Sequence, residues 1–165
     1  MISKCEVCGD TFKNTYEMGK ISQWQPKVCG GACFATLLLT QKVSYSKWNK
    51  WLMQNKDKYY PLVEADASKR SSYERCLARW LVAEEIPYVF EPWVFKPDTG
   101  VYYLPDFYIM RVPCFLETKG VWESGAFPTA KAFGEFTPIP YYVLTLPFLK
   151  HIKAQPKKED KLSHV

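Results

Sequence analysis

Histidine is nearly missing from this chain. Only His151 and His164 occur, and neither stands at a spacing that would pair it with a second metal ligand or with a nucleophile. That argues against a histidine-built metal centre and against a serine or cysteine activated by histidine. Long apolar runs are missing too: no stretch approaches the roughly 18 continuous apolar residues that span a bilayer. The opening residues, with Lys4, Cys5, Glu6 and Cys8, lack the apolar core of a secretory leader. These absences predict a soluble, cytoplasmic protein with no membrane partner. Gly/Ser-rich tracts and internal repeats are also absent, so no part of the chain reads as a low-complexity linker.

What is present suits one main domain with a small appendage. The 165 residues are 47% hydrophobic and 16% aromatic, with a formal charge of +5, long enough to bury a real core. The charge excess is modest. Its placement says more, because Tyr45, Lys47, Trp48, Lys50 and Trp51 mix cations with flat rings, a combination that can touch phosphates and stack on bases. An amphipathic helix with a solvated basic face explains the same pattern equally well.

Six cysteines in a chain without a leader favour metal ligation or buried thiols over disulfides. Cys5 and Cys8 form one close pair, Cys29 and Cys33 the other. Each pair can turn two thiolates onto one ion from a tight turn, and four thiolates fill the tetrahedron that zinc prefers. Such a site is structural, since no ligand position stays open for water. Residues 1–33 are also too short and polar to fold without a staple. The second pair runs into Phe34-Ala-Thr-Leu-Leu-Leu, which reads as a helix start with Cys33 in its first turn, and the arrangement resembles a treble-clef-like zinc finger. Cys76 and Cys114 stand in apolar surroundings and read as core residues.

Four regions are expected: a zinc module over 1–40, a helical connector over 41–67, a core over 68–150 and a charged, frayed tail over 151–165. Apolar spacing over 34–60 suits one or two helices, broken by Pro61. A helix opens at Ser71 or Ser72 and stops at Ile86-Pro87, with Tyr73, Leu77, Trp80 and Leu81 as its buried stripe. Glu74 sits beside that stripe in the first turn, where capping and the helix dipole give it an ordinary role. Tyr88–Phe95 and Val101–Ile109 read as a hairpin around the turn Lys96-Pro-Asp-Thr-Gly100. Cys114–Lys119 is a third strand, residues 124–136 a helix, and Ile139–Leu146 a last, mostly apolar strand.

The chemistry gathers on the third strand. Glu117 and Lys119 share a face by alternation, and pairing with the preceding strand brings Asp106, which follows Pro105, next to Glu117. Two adjacent carboxylates in a half-buried sheet repel unless a divalent cation neutralises them. Oxygen ligands point to magnesium or manganese.

The run Glu74... Tyr103-Leu-Pro-Asp106-Phe... Phe115-Leu-Glu117-Thr-Lys119-Gly resembles the PD-(D/E)xK nuclease superfamily, and within it small phage-type endonucleases such as Holliday-junction resolvases. The resemblance covers residues 68–145. It implies a restriction-endonuclease-like α+β core, a mixed central sheet flanked by helices, acting on DNA inside a bacterial host cell. Glu74, Asp106 and Glu117 would hold or support catalytic magnesium, with the carbonyl of Leu116 or Thr118 as an extra ligand, and Lys119 would attend the attacking water. Lys131 on the following helix would reach the scissile strand, although a solvated lysine is the plainer reading; Lys47 and Lys50 are the other DNA-binding candidates. Resolvases act on two equivalent strands, so the resemblance makes a homodimer an expectation. Glu91, Asp98 and Glu123 are reserve acids. Two alternatives stay open: a site-specific nuclease of restriction or transposition type, and a non-catalytic zinc-dependent DNA-binding protein on a nuclease fold.

Overall fold

The computed structural model describes residues 1–16, 19–62, 70–120 and 125–154. Glu123, residues 63–69, where the connector was expected to join the core, and residues 155–165 of the expected tail lie outside them. In chain order, β1 (Ile2–Lys4) and β2 (Thr11–Lys13) form an antiparallel pair at the cysteine knot, and a 3-10 turn follows at Gly19–Trp24. Helices α1 (Gly31–Thr40) and α2 (Tyr45–Gln54) come next, then β3 (Tyr59–Pro61) and α3 (Ser72–Ala83). The strands β4 (Tyr88–Phe90), β5 (Trp93–Phe95), β6 (Phe107–Ile109) and β7 (Cys114–Lys119) lead to α4 (Ala126–Phe136), β8 (Tyr141–Thr145) and α5 (Leu146–His151).

Four strands make the central mixed sheet, in the order β4-β6-β7-β8. The first three pair antiparallel, and β7 pairs with β8 in parallel. That parallel pair needs a crossover, which α4 supplies. Because side chains alternate along a strand, β7 buries Phe115 on one face and Cys114 and Leu116 on the other. Both faces are covered, so the sequence reads apolar throughout. On one face Leu116 and Leu144 join Phe34 of α1, Leu77 and Leu81 of α3, and Phe148 of α5. On the other, Phe115 and Val143 join Trp48 of α2, Phe95 of β5 and Phe133 of α4. The second face is mostly aromatic, with rings meeting edge to face, such as Phe95 on Phe115 at 5.4 Å and 79°.

The expected hairpin exists in broken form. Glu91 adopts a left-handed conformation (φ 47°), which splits Tyr88–Phe95 into β4, paired with β6, and β5, paired with β3. Pro105 interrupts the return strand, so Tyr103 only bridges Phe95 and ordered pairing resumes at Phe107. Among its described residues, 41–62, the expected connector forms α2, then the 3-10 turn Lys56–Lys58 that leads into strand β3. The zinc module is not a free appendage, because Cys5, Tyr16, Val28 and Phe34 share one core with α3 and α5.

The expectation that the tail frays from 151 is corrected by burial of Ile152 and Ala154. His151 stacks on Phe12 and donates to the Val28 carbonyl at 2.8 Å. Gly31 makes the close packing there: a Cβ on it would lie 2.7 Å from the Ile152 carbonyl oxygen. No helix among the described residues is long and apolar enough to cross a membrane.

Candidate functional site

Two places bring chemistry-bearing side chains together. At the knot, the Sγ atoms of Cys5, Cys8, Cys29 and Cys33 all lie within 4.8 Å of one another. Cys8 to Cys29 is 3.7 Å and Cys29 to Cys33 is 3.4 Å. A tetrahedron with zinc–sulfur bonds of about 2.3 Å sets sulfurs about 3.8 Å apart, so the donor set and spacing are compatible with a structural zinc site. Gly9, at φ 81°, makes the turn after the first pair, and Cys33 lies in the first turn of α1 as expected. Burial of Cys5 pushes its thiol up, but the amides of Cys8, Val7 and Cys29 donate to it and bring it down to about 6. Amides aimed at that sulfur favour the thiolate, the form that binds metal. Cys76 and Cys114 are buried core thiols, and burial pushes Cys114 up to about 12.

The second place is the carboxyl end of β7. Asp106 and Glu117 are 7% and 3% exposed, values that carboxylates reach only when paired or liganded. The Asp106 amide donates to Glu117 Oε2 at 3.4 Å, and the Thr118 amide and hydroxyl both donate to Asp106 Oδ2 at 2.8 and 3.0 Å. The Lys119 ammonium pairs with Glu117 Oε1. Burial pushes Asp106 well above the usual carboxylate range, the charges of Glu117 and Glu74 push it further, and Thr118 only partly opposes them. Burial also raises Glu117, against the pull of Lys119 and a hydrogen bond from Tyr103. Burial pulls Lys119 down, yet Glu117's charge more than offsets this and keeps the ammonium protonated.

Glu74 arrives from α3, whose first turn packs on the end of β7. A Cβ on Gly120 would lie 2.3 Å from the Tyr73 ring, so only glycine permits that approach. The glutamate's own carboxylate closes a capping box, accepting from the Ser71 amide while Ser71 Oγ accepts the Glu74 amide at 3.2 Å. Its charge is felt at Asp106, Lys119 and Glu91. Even so, among the described residues only the four cysteines gather three or more donor atoms within 4.8 Å. Asp106, Glu117 and Lys119 are therefore brought together, and Glu74 stands beside them, occupied by its cap.

Several neighbours escaped the sequence reading. Tyr103 and Tyr141 share a buried hydroxyl–hydroxyl hydrogen bond, and Tyr103 reaches on to Glu117. Thr118 holds Asp106, although alternation alone places it on the opposite face. Glu91, a reserve acid, lies at the site: its amide donates to the Asp106 carbonyl at 2.8 Å, and burial and Glu74 raise its carboxyl. The break Glu91-Pro92 was the only signal that could have found it. Asp98 pairs instead with Lys58 at 3.2 Å, on the surface. Lys131 pairs with Glu135 of its own helix at 3.6 Å, and Lys47 and Lys50 are exposed on α2.

No protein-family model, no curated protein and no solved structure matches the chain.

Proposed function

We propose that the chain is a magnesium- or manganese-dependent DNA endonuclease of the PD-(D/E)xK kind, stapled by structural zinc. The observation that carries this reading is the buried Asp106–Glu117 pair with Lys119 on its rim. Two raised carboxylates held side by side by burial are an expensive arrangement for a metal-free fold. An oxygen donor set of this charge fits a hard divalent cation. The order of elements also supports a restriction-endonuclease-like core: α3, three antiparallel strands, the α4 crossover and a parallel β8.

Asp106 and Glu117 would hold the ion, with Glu74 able to join if it releases Ser71. When bound, the ion polarises a phosphodiester and acidifies a water. Thr118 fixes the Asp106 carboxylate through two hydrogen bonds. Tyr103, backed by Tyr141, supplies one hydrogen bond that steadies the charged form of Glu117. Lys119 places a protonated ammonium where negative charge grows on the phosphoryl oxygens or where the attacking water is oriented.

One observation favours a second reading, a zinc-dependent DNA-binding protein that does not cut: Glu74 is spent on its capping box and the three acids do not converge. The deciding experiment incubates labelled four-way junction, flap, single-stranded and linear duplex DNA with the zinc-loaded protein and magnesium. The nuclease reading expects cleavage that is lost in Asp106→Ala and Lys119→Ala, with the preferred substrate separating a resolvase from a site-specific nuclease. Binding without cleavage on every substrate transfers the function to the second reading. If junctions are the substrate, a homodimer in sedimentation is expected.

A further inference from the structure

One more polar side chain belongs to the carboxylate pit. Strand β8 runs parallel to β7, with Glu117 in register with Val143 and Lys119 with Thr145. Phe115, Tyr141 and Val143 pack on the aromatic face of the sheet, so alternation puts Glu117, Lys119 and Thr145 on that side as well. Neighbouring strands lie about 4.8 Å apart, which starts the Thr145 side chain beside the stem of Lys119. Thr145 is 3% exposed, and among the described residues its hydroxyl has no hydrogen-bond partner. Its own helix does not use it: Thr145 is the N-cap of α5 but makes no capping bond, and Pro147 removes one of the two amides that a cap could serve. The neighbouring hydroxyls are engaged, Thr118 with Asp106 and Tyr103 with Tyr141. A buried hydroxyl without a partner is costly, and native folds keep few of them.

We propose that Thr145 is a positioning residue for Lys119: its hydroxyl accepts a hydrogen bond from the Lys119 ammonium when Glu117 turns to the ion, an inference that rests on the metal-dependent reading of the pit above. Without the ion, the ammonium pairs with Glu117 Oε1 and Thr145 stays unpaired. An ion on that carboxylate neutralises much of its charge and takes up its lone pairs, which loosens its hold on Lys119. A mostly buried ammonium that loses its partner needs another acceptor. Thr145 is the acceptor in register, and a neutral one, so it fixes the ammonium at the pit without competing for the ion. Its hydroxyl is thus used in the ion-bound state and idle in the ion-free one.

The test is a double-mutant cycle on manganese affinity, measured by calorimetry with the zinc-loaded full chain and no DNA. Thr145→Val keeps the shape and removes the hydroxyl. It should melt no lower than wild type without the ion, yet bind manganese about tenfold more weakly, the worth of one hydrogen bond to a charged group. Thr145→Ser should bind as wild type does. In a Lys119→Met background, Thr145→Val should change manganese affinity by less than about twofold, because the group it serves is gone. At saturating magnesium, Thr145→Val should lower kcat for DNA cleavage about tenfold and leave KM within about twofold. Manganese held equally by wild type and Thr145→Val would overturn the proposal. So would an equal loss in the Lys119→Met background, or an ion-free Thr145→Val that melts well below both wild type and Thr145→Ser, which would give the hydroxyl to the fold. A wild type that binds no manganese overturns this proposal and the metal site together. One that binds it with the expected cycle and never cuts DNA sinks the nuclease reading alone and leaves the coupling of Thr145 to Lys119 standing.

Discussion

The cysteine knot and the carboxylate pit are both candidate metal sites, and they are preorganised to different degrees. In the knot, four sulfurs already lie within 4.8 Å of one another, and backbone amides favour the Cys5 thiolate, while the Cys8, Cys29 and Cys33 thiols are raised. In the pit, each carboxylate has a protein partner: Thr118 for Asp106, Lys119 and Tyr103 for Glu117, Ser71 for Glu74. A structural ion needs a fixed cage. Under the proposed function, the carboxylates of the pit would exchange these protein partners for the ion.

The largest effect should come from the knot. Because Cys5, Val28 and Phe34 share a core with α3 and α5, Cys29→Ser or a strong zinc chelator should destabilise the whole molecule, not the N-terminus alone. A loss of about 4 kcal/mol or more, read as a fall of roughly 8–16 °C in Tm, is expected in a single transition, with zinc content measured in parallel. Two separate transitions would mean that the module folds by itself.

Next come the pit residues, where stability and activity should part. Asp106→Asn keeps the size and removes a buried repulsion, so it should melt no lower than wild type without magnesium while cleavage falls by about a hundredfold or more. The pH dependence has the same origin. A carboxyl raised in the folded state holds its proton more tightly there than in the unfolded chain. The stability that Asp106 and Glu117 contribute is therefore full below the ordinary carboxylate range and is lost as pH rises through their raised folded values. Magnesium-free melts should show this decline, Asp106→Asn should flatten it, and magnesium should reverse it on the alkaline side. A wild type whose magnesium-free stability rises over that window would refute the assignment.

Glu74 gives a finer cut. Glutamine serves a capping box as well as glutamate does, so Glu74→Gln should hold stability while reducing activity, whereas Glu74→Ala should lose about 1 kcal/mol as well. Equal activity of wild type and Glu74→Gln would leave this residue as a cap and nothing more. The smallest effect is expected from Tyr103→Phe: folding near wild type, with weaker metal affinity because Glu117 loses one hydrogen bond.

Much of the fold was legible because its signals are local. The cysteine spacing, the Ser71 cap with Glu74 three residues on, and the apolar runs of β7 and β8 each declare themselves within a few residues. The pairing of Asp106 with Glu117 followed from alternation and hairpin register, and the register Phe107 with Leu116 is the one found. What stayed hidden depends on distant partners. Strand β3 exists because β5 pairs with it, and Tyr59-Tyr60-Pro61 carries no period of its own. Glu91 reached the site through a left-handed kink, and Tyr103 through a bridge to Phe95 and a bond to Tyr141.

The most direct measurement is manganese binding to the zinc-loaded protein, followed by electron paramagnetic resonance in wild type and Asp106→Asn. Manganese bound by wild type and released by that one substitution is the result expected of a cation held between Asp106 and Glu117. Equal binding by both proteins, or none by wild type, would contradict the claim that this carboxylate pair is a metal site.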